Sequence, residues 1–226
     1  MRKFSAKIFA LILIVAVLAA ACFGGCGGDS TADGGNSGNS GNNSVVSSAL
    51  DRTAKVLRNT HNYTIETTMA THTGGGDAVF MFDGNKIRVE GYAFGSSDTD
   101  VSYYIKETSE GGVKYYGYRE SDGYKYEYDP QEAGEYEYNQ AANLALNIAT
   151  ILDTHKTGFV WQQGSDSNTF VCGFSYGDTQ NTYTIKIENG YISEYESIMT
   201  MGDTTVITHY KIYSIGTTEV LRYVVV

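Results

Sequence analysis

The chain has 226 residues, 42% hydrophobic and 13% aromatic, with 26 Gly and one Pro. That is too aromatic for a wholly disordered chain, and its length suits one domain or two small ones. Lys and Arg number 16 against 26 Asp and Glu, with three Cys; an acidic body without a basic cluster excludes nucleic acid as a natural partner and disfavours an anionic membrane surface, and three Cys make no disulfide framework.

The first segment is built for export. Arg2, Lys3 and Lys7 precede an unbroken apolar run of 14 residues, Ile8 to Ala21. A membrane-spanning helix needs about 20 such residues, so the run reads as the core of a secretory signal peptide, residues 1–21. Leu18-Ala19-Ala20-Ala21-Cys22 resembles a bacterial lipobox, in which the Cys is lipid-modified and begins the mature chain. Cys26 is the alternative site. Cleavage before Cys22 removes three basic residues and no acidic one, leaving a side-chain balance of −13. The expected location is the extracytoplasmic face of the cell membrane, held by acyl chains at about 0.8 kcal/mol per buried CH₂.

Residues 22–44 are mostly Gly, Ser, Asn and Asp. Such a segment has too little apolar surface to offset its ordering entropy and reads as a tether, with a reach of roughly 25 Å. Residues 45–226 form the expected domain. Val46, Leu50, Thr53 and Leu57 recur at helical spacing, which predicts a helix over 45–60, capped by Asn43 or Ser44. The pattern then changes to period two, predicting strands near 62–71, 77–83, 86–93, 100–107, 112–119 and 123–129. Turn residues such as Asp83-Gly84-Asn85 connect them. A second helix is expected over 139–154, where Ala141, Leu144, Ala145, Ile148 and Leu152 share a face; His155 and Lys156 suit the negative end of its dipole. Strands resume near 158–163, 168–176, 181–188, 191–201 and 204–215, with Asn189-Gly190 as a hairpin turn and a short strand within Val220–Val226. About eleven strands with short connections predict a mainly β, α+β domain: a large curved antiparallel sheet or an incomplete barrel.

The order of segments is itself informative. A lipobox, a Gly/Ser/Asn tether and a short helix precede Asn62-Tyr63-Thr64-Ile65-Glu66-Thr67-Thr68-Met69 and Phe82-Asp83-Gly84-Asn85-Lys86-Ile87-Arg88-Val89. Tyr126-Glu127-Tyr128-Asp129-Pro130, Ile187-Glu188-Asn189-Gly190-Tyr191-Ile192-Ser193 and Tyr210-Lys211-Ile212-Tyr213-Ser214-Ile215-Gly216 follow. This arrangement resembles the LolA/LolB-like superfamily of bacterial envelope lipoproteins. The resemblance implies an unclosed half-barrel whose concave face is covered by helices, with acyl chains or other apolar ligands held between. Soluble carriers of that superfamily lack an anchor, so this chain is more similar to the anchored, Gram-positive-type members.

No H-E-x-x-H, C-x-x-C, P-loop or G-x-S-x-G occurs, and the four His share no ligand spacing. No enzyme, metal or cofactor is expected. The partners expected of this monomeric chain are the membrane, through its anchor, and an apolar small molecule or lipid acyl chain. Candidate ligand contacts on the inward face are Ile65, Phe80, Ile87, Val89, Trp161, Phe170, Phe174, Ile185, Ile187 and Met199, approached from the helices by Leu50, Leu57, Leu144 and Ile148. Apolar walls favour an acyl chain, and the negative balance argues against a strongly anionic head group. Cys172 is expected in the core. The chain has 19 Tyr, ten of them between Tyr103 and Tyr138. They leave a second function open, an interaction module that binds protein or cell-wall glycan through a Tyr-rich surface.

Overall fold

The computed structural model describes residues 39–93, 100–119 and 123–220. The signal peptide, Cys22, Cys26, the tether up to residue 38 and the tail strand beyond Val220 lie outside the described residues. Within them, α1 (Asn39–Asn59) leads into β1 (Asn62–Thr71), β2 (Gly74–Asp83), β3 (Lys86–Ala93), β4 (Asp100–Ser109), β5 (Gly112–Arg119) and β6 (Tyr124–Glu127). The helix α2 (Gln131–Thr154) then precedes β7 (Gln162–Gln163), β8 (Thr169–Tyr176), β9 (Thr179–Glu188), β10 (Tyr191–Met201) and β11 (Thr204–Tyr213).

All eleven strands form one antiparallel sheet in the order β6-β5-β4-β3-β2-β1-β11-β10-β9-β8-β7. Its ends, β6 and β7, do not meet, so the curved sheet stays open. Two meanders, β1–β6 and β7–β11, run outward from a central seam where Ile65 lies opposite Ile212 and Thr67 opposite Tyr210. Strands successive in the chain pair within each meander; among the described residues, the seam is the one long-range strand pairing that joins them. At the Asn189-Gly190 turn both residues take positive φ, 53° and 78°, as a two-residue hairpin of this kind requires.

Both helices lie on one face of the sheet. Val46, Leu50, Leu57, Leu144, Ile148 and Leu152 pack there against Ile65, Phe80, Trp161, Tyr183, Ile185 and Tyr210, all at most 2% exposed. Each such aliphatic side chain contributes about 1.5–3 kcal/mol on burial. Cys172 is buried on this face and unpaired, and burial raises its thiol pKa.

Both helices begin earlier than the sequence pattern suggests. α1 includes residues 39–44 of the expected tether, and Asn43 is no cap: its Oδ1 accepts the Trp161 N–H at 2.9 Å, docking the first turns of α1 to the residue just before β7. α2 starts eight residues before the expected Asn139, directly after Pro130. The alternating Tyr and Glu at 135–138 obscure that start, because they carry both periods at once. Gly134 sets the approach of this first turn, since a Cβ there would lie 2.6 Å from Tyr115 Cβ and 2.7 Å from the Tyr128 ring.

Candidate functional site

Thr53 fastens α1 to the sheet. Completely buried, it donates its hydroxyl to the Ala49 carbonyl and accepts the Ile192 N–H, both at 2.8 Å. That N–H sits where β10 shifts register between Ile192 and Glu194, and Thr53 takes the place of a strand partner. Lys156 bridges the two helices with Asp51 (3.0 Å) and Asp153 (2.7 Å), and Arg58 also pairs with Asp153.

Beneath the end of α2, aromatic rings fill the space. His155 stacks among Tyr183, Phe159 and Tyr195, with ring centroids at 4.3, 4.7 and 5.8 Å, and the series continues to Tyr210 and Phe174. Of the two residues expected as cations at the helix terminus, Lys156 is one and His155 is not, because burial pushes its imidazole down to about 4 and keeps it neutral at physiological pH. Its Nδ1 has no hydrogen-bond partner among the described residues.

Toward the other end of the helical layer the surfaces part. A cleft of about 480 Å³ opens between α1, α2 and the ends of β1–β4. Leu57, Tyr63, Phe82 and Ile87 form its apolar floor, and Ala142, Ala145 and Leu146 of α2 face them. The Tyr63 hydroxyl donates to the Leu57 carbonyl at 2.8 Å, so the floor presents a satisfied ring; burial raises the phenol's pKa well above its ordinary value, reinforced by nearby Tyr138. Thr60, His61, Asn85, Lys106 and Thr108 make a polar rim. The volume falls within the few hundred Å³ of small-molecule sites, and the apolar floor with a polar edge is their usual chemistry.

Of the ten inward residues expected to touch ligand, only Ile87 lines this cleft, joined by Leu57 from the helices. Ile65, Phe80, Val89, Trp161, Phe170, Ile185 and Ile187 are packed core, between 0% and 9% exposed. Phe174 is 37% exposed and touches Phe159, while Met199 is half-buried opposite Asn181 and Val206. The inward direction follows from strand alternation; cover by the helices does not, and it turns most of the expected wall into core. The cleft residues missed by sequence reasoning are mainly rim and helix positions. Leu146, an exposed apolar residue outside the Leu144–Ile148 row, is the available signal.

The tyrosine-rich stretch divides between faces. Tyr115, Tyr126 and Tyr128 gather around the start of α2, with Tyr126 lying against Gly117. Tyr103 and Tyr118 pack edge-to-face at 5.3 Å on the outer face, where the Lys125 ammonium lies 3.8 Å from the centre of the Tyr116 ring.

No three His, Cys, Asp or Glu side chains among the described residues are grouped to hold a metal, and no helix there is long and apolar enough to cross a membrane. No protein-family model and no curated protein matches the chain.

Proposed function

We propose that this protein is a bacterial envelope lipoprotein, anchored on the extracytoplasmic face through lipid on Cys22, whose half-barrel domain binds an apolar ligand. The carrying observation is the 480 Å³ cleft with an apolar floor, placed between helices and sheet where the LolA/LolB-like resemblance leads one to expect it. The chain acts here as a monomeric binder, not an enzyme, and the lipobox and apolar leader supply its place at the membrane. Native mass spectrometry of the protein purified from cell envelopes tests this reading: a retained lipid mass, lost when Ala142→Phe fills the cleft, is expected. Protein that carries no lipid and takes up no fluorescent fatty acid rejects it. Exchange of Cys22 to Ser is expected to release the protein from membranes, whereas release by Cys26→Ser alone reassigns the anchor.

One observation favours a second reading. The partly exposed outer-face rings of Tyr116 and Tyr118, backed by buried Tyr103 and with Lys125 against Tyr116, form the kind of aromatic surface on which a sugar ring stacks. Binding of cell-wall glycan that is abolished by Tyr116→Ala and indifferent to Ala142→Phe supports an interaction module instead.

A further inference from the structure

We infer that the cleft takes a single-chain amphiphile with an anionic head group and that Lys106 holds the head. This rests on the lipid-binding reading above and adds the class of ligand. The chain is acidic as a whole, yet among the described residues no carboxylate lines the cleft, and His61 and Lys106 stand on its rim. Of the acids adjacent to lining residues, Glu137 stays outside the lining and the two on the strands are engaged elsewhere. Asp83 accepts the Val220 N–H at 3.3 Å, and Glu107 pairs with Lys125 at 2.7 Å.

Lys106 and Lys86 are the two described lysines with no ion pair among the described residues, and of the two Lys106 lines the cleft, whereas Lys86 shares the outer face with Ile105. Lys55, Lys114, Lys125, Lys156, Lys186 and Lys211 all lie within ion-pair distance of a carboxylate. Lys106 makes no ion pair among the described residues. Its backbone is nonetheless fixed: its N–H donates to the Asn85 carbonyl at 2.9 Å, and its carbonyl accepts the Asn85 side-chain amide. The β2–β3 turn therefore holds this end of β4, and strand alternation puts Lys106 on the same face as Tyr104, toward the helices. A half-buried lysine on the rim of an apolar floor gains most from an anion that arrives with an apolar tail, because tail and head are satisfied together.

Volume narrows the class further. At ~30 Å³ for a water-sized group, 480 Å³ accepts about sixteen such groups. That suits one acyl chain, so the single-chain amphiphile is the simplest occupant of its size. The negative end of the α1 dipole opposes an anion here, but the Tyr63 hydroxyl already occupies the Leu57 carbonyl and lessens that field. The negative balance of the whole domain, which argued against an anionic head group, is thus reversed locally at the rim.

The test uses the full chain in nanodiscs of neutral phosphatidylcholine, with photo-crosslinking by diazirine-bearing palmitate, lysophosphatidate and hexadecanol. Labelled peptides are mapped by mass spectrometry. An anionic probe is expected to label the peptides containing His61–Tyr63 and Ala142–Leu146 about tenfold more than the alcohol at equal concentration, the ratio of a modest affinity difference. Palmitate ahead of lysophosphatidate makes the head a carboxylate; the reverse order makes it a phosphate. Lys106→Gln is expected to reduce anionic labelling to the alcohol's level, and Lys106→Arg to preserve it. Thr108→Glu, at an exposed rim position, is expected to weaken the anions alone, with circular dichroism verifying each variant's fold. Equal labelling by acid and alcohol, or indifference to Lys106→Gln, overturns the anionic-head inference and leaves lipid binding standing. Failure of every probe to label these peptides, unchanged by Ala142→Phe, overturns the lipid-binding reading itself.

Discussion

Across β8, β9 and β10 the helix-covered face is filled by large rings, whereas across β1–β4 the same face leaves a cleft. One sheet and one pair of helices produce both results, so the difference lies in side-chain volume and fastening. On the filled side, Trp161, Tyr183, Tyr195 and His155 occupy the space, and α1 is tied down by Thr53 to Ile192 and by Asn43 to Trp161. On the open side, α2 presents Ala142 and Ala145 over Tyr63, Phe82 and Ile87, with Tyr138 and Leu146 flanking them. Gly134 lets the start of α2 touch Tyr115 and Tyr128, and the helix spans the gap between two close contacts. A cleft can thus open in a packed layer where the covering helix carries small side chains, without any change of fold.

If the filled side supplies the stability, truncation there is costly. Trp161→Ala is expected to lose about 3–5 kcal/mol, measured by urea unfolding, because a large buried side chain leaves a cavity that rigid strands cannot close. A loss under about 1 kcal/mol would mean that the filled side is not the stabilising one. The next effect depends on pH. His155 is neutral when folded, with a pKa near 4, and has an ordinary value of about 6.5 when unfolded. Below pH ~6.5 the unfolded chain gains a proton that the folded chain refuses, so stability falls as pH drops toward 4 and then levels off. The total is about 3 kcal/mol from a shift of that size. Asp51 is held low by its bonds to Lys55 and Lys156. At Asp153 burial is outweighed by Lys156 and Arg58, so both carboxylates titrate below this window. His155→Phe is expected to flatten the unfolding midpoint between pH 6.5 and 4; an unchanged slope refutes burial as the cause.

The strands were the legible part. Alternation in Tyr63, Ile65 and Met69 or in Ile87 and Val89 marks one face, and turn residues mark where each strand ends, so the eleven strands and their sequential pairing follow from local chemistry. The cleft was not legible, because it is a shortage of volume between elements distant in sequence. Ala142 and Ala145 read as ordinary helix formers until α2 is placed over the ends of β1–β3. His155 misled for the same reason: its position at a helix terminus indicates a cation, and only the rings of Tyr183 and Tyr195 from the far meander make it neutral.

Fastening can be separated from filling at Thr53. Thr53→Val keeps the shape but removes the acceptor for the buried Ile192 N–H, at an expected cost of about 1–3 kcal/mol. Hydrogen exchange at the Ile192 amide should accelerate more than at amides of the central β1–β11 seam. Thr53→Ser, which retains the oxygen, is expected to lose less and to leave that exchange nearly unchanged. Equal effects of Val and Ser would assign the role of Thr53 to packing.

The smallest expected effect is the most direct comparison of the two sides. Ala142 and Ala149 are seven residues apart, on the same face of α2, so the same substitution samples the cleft at one and closed core at the other. Ala149 is completely buried, and Ala149→Phe is expected to cost about 1–3 kcal/mol through overpacking. At Ala142 the ring has the cleft to enter, and Ala142→Phe is expected to change stability by less than about 0.5 kcal/mol, the range of an unstrained substitution. Thermal unfolding of both variants with wild type gives the comparison, and fatty-acid uptake by the Ala142 variant reads the cleft itself. A penalty at Ala142 equal to that at Ala149 would mean that the helices close over β1–β4 in solution as tightly as over β8–β10, leaving no room for a chain. A neutral Ala142→Phe that also abolishes uptake joins the missing volume to the binding, since the ring would then occupy the ligand's place without disturbing the core around it.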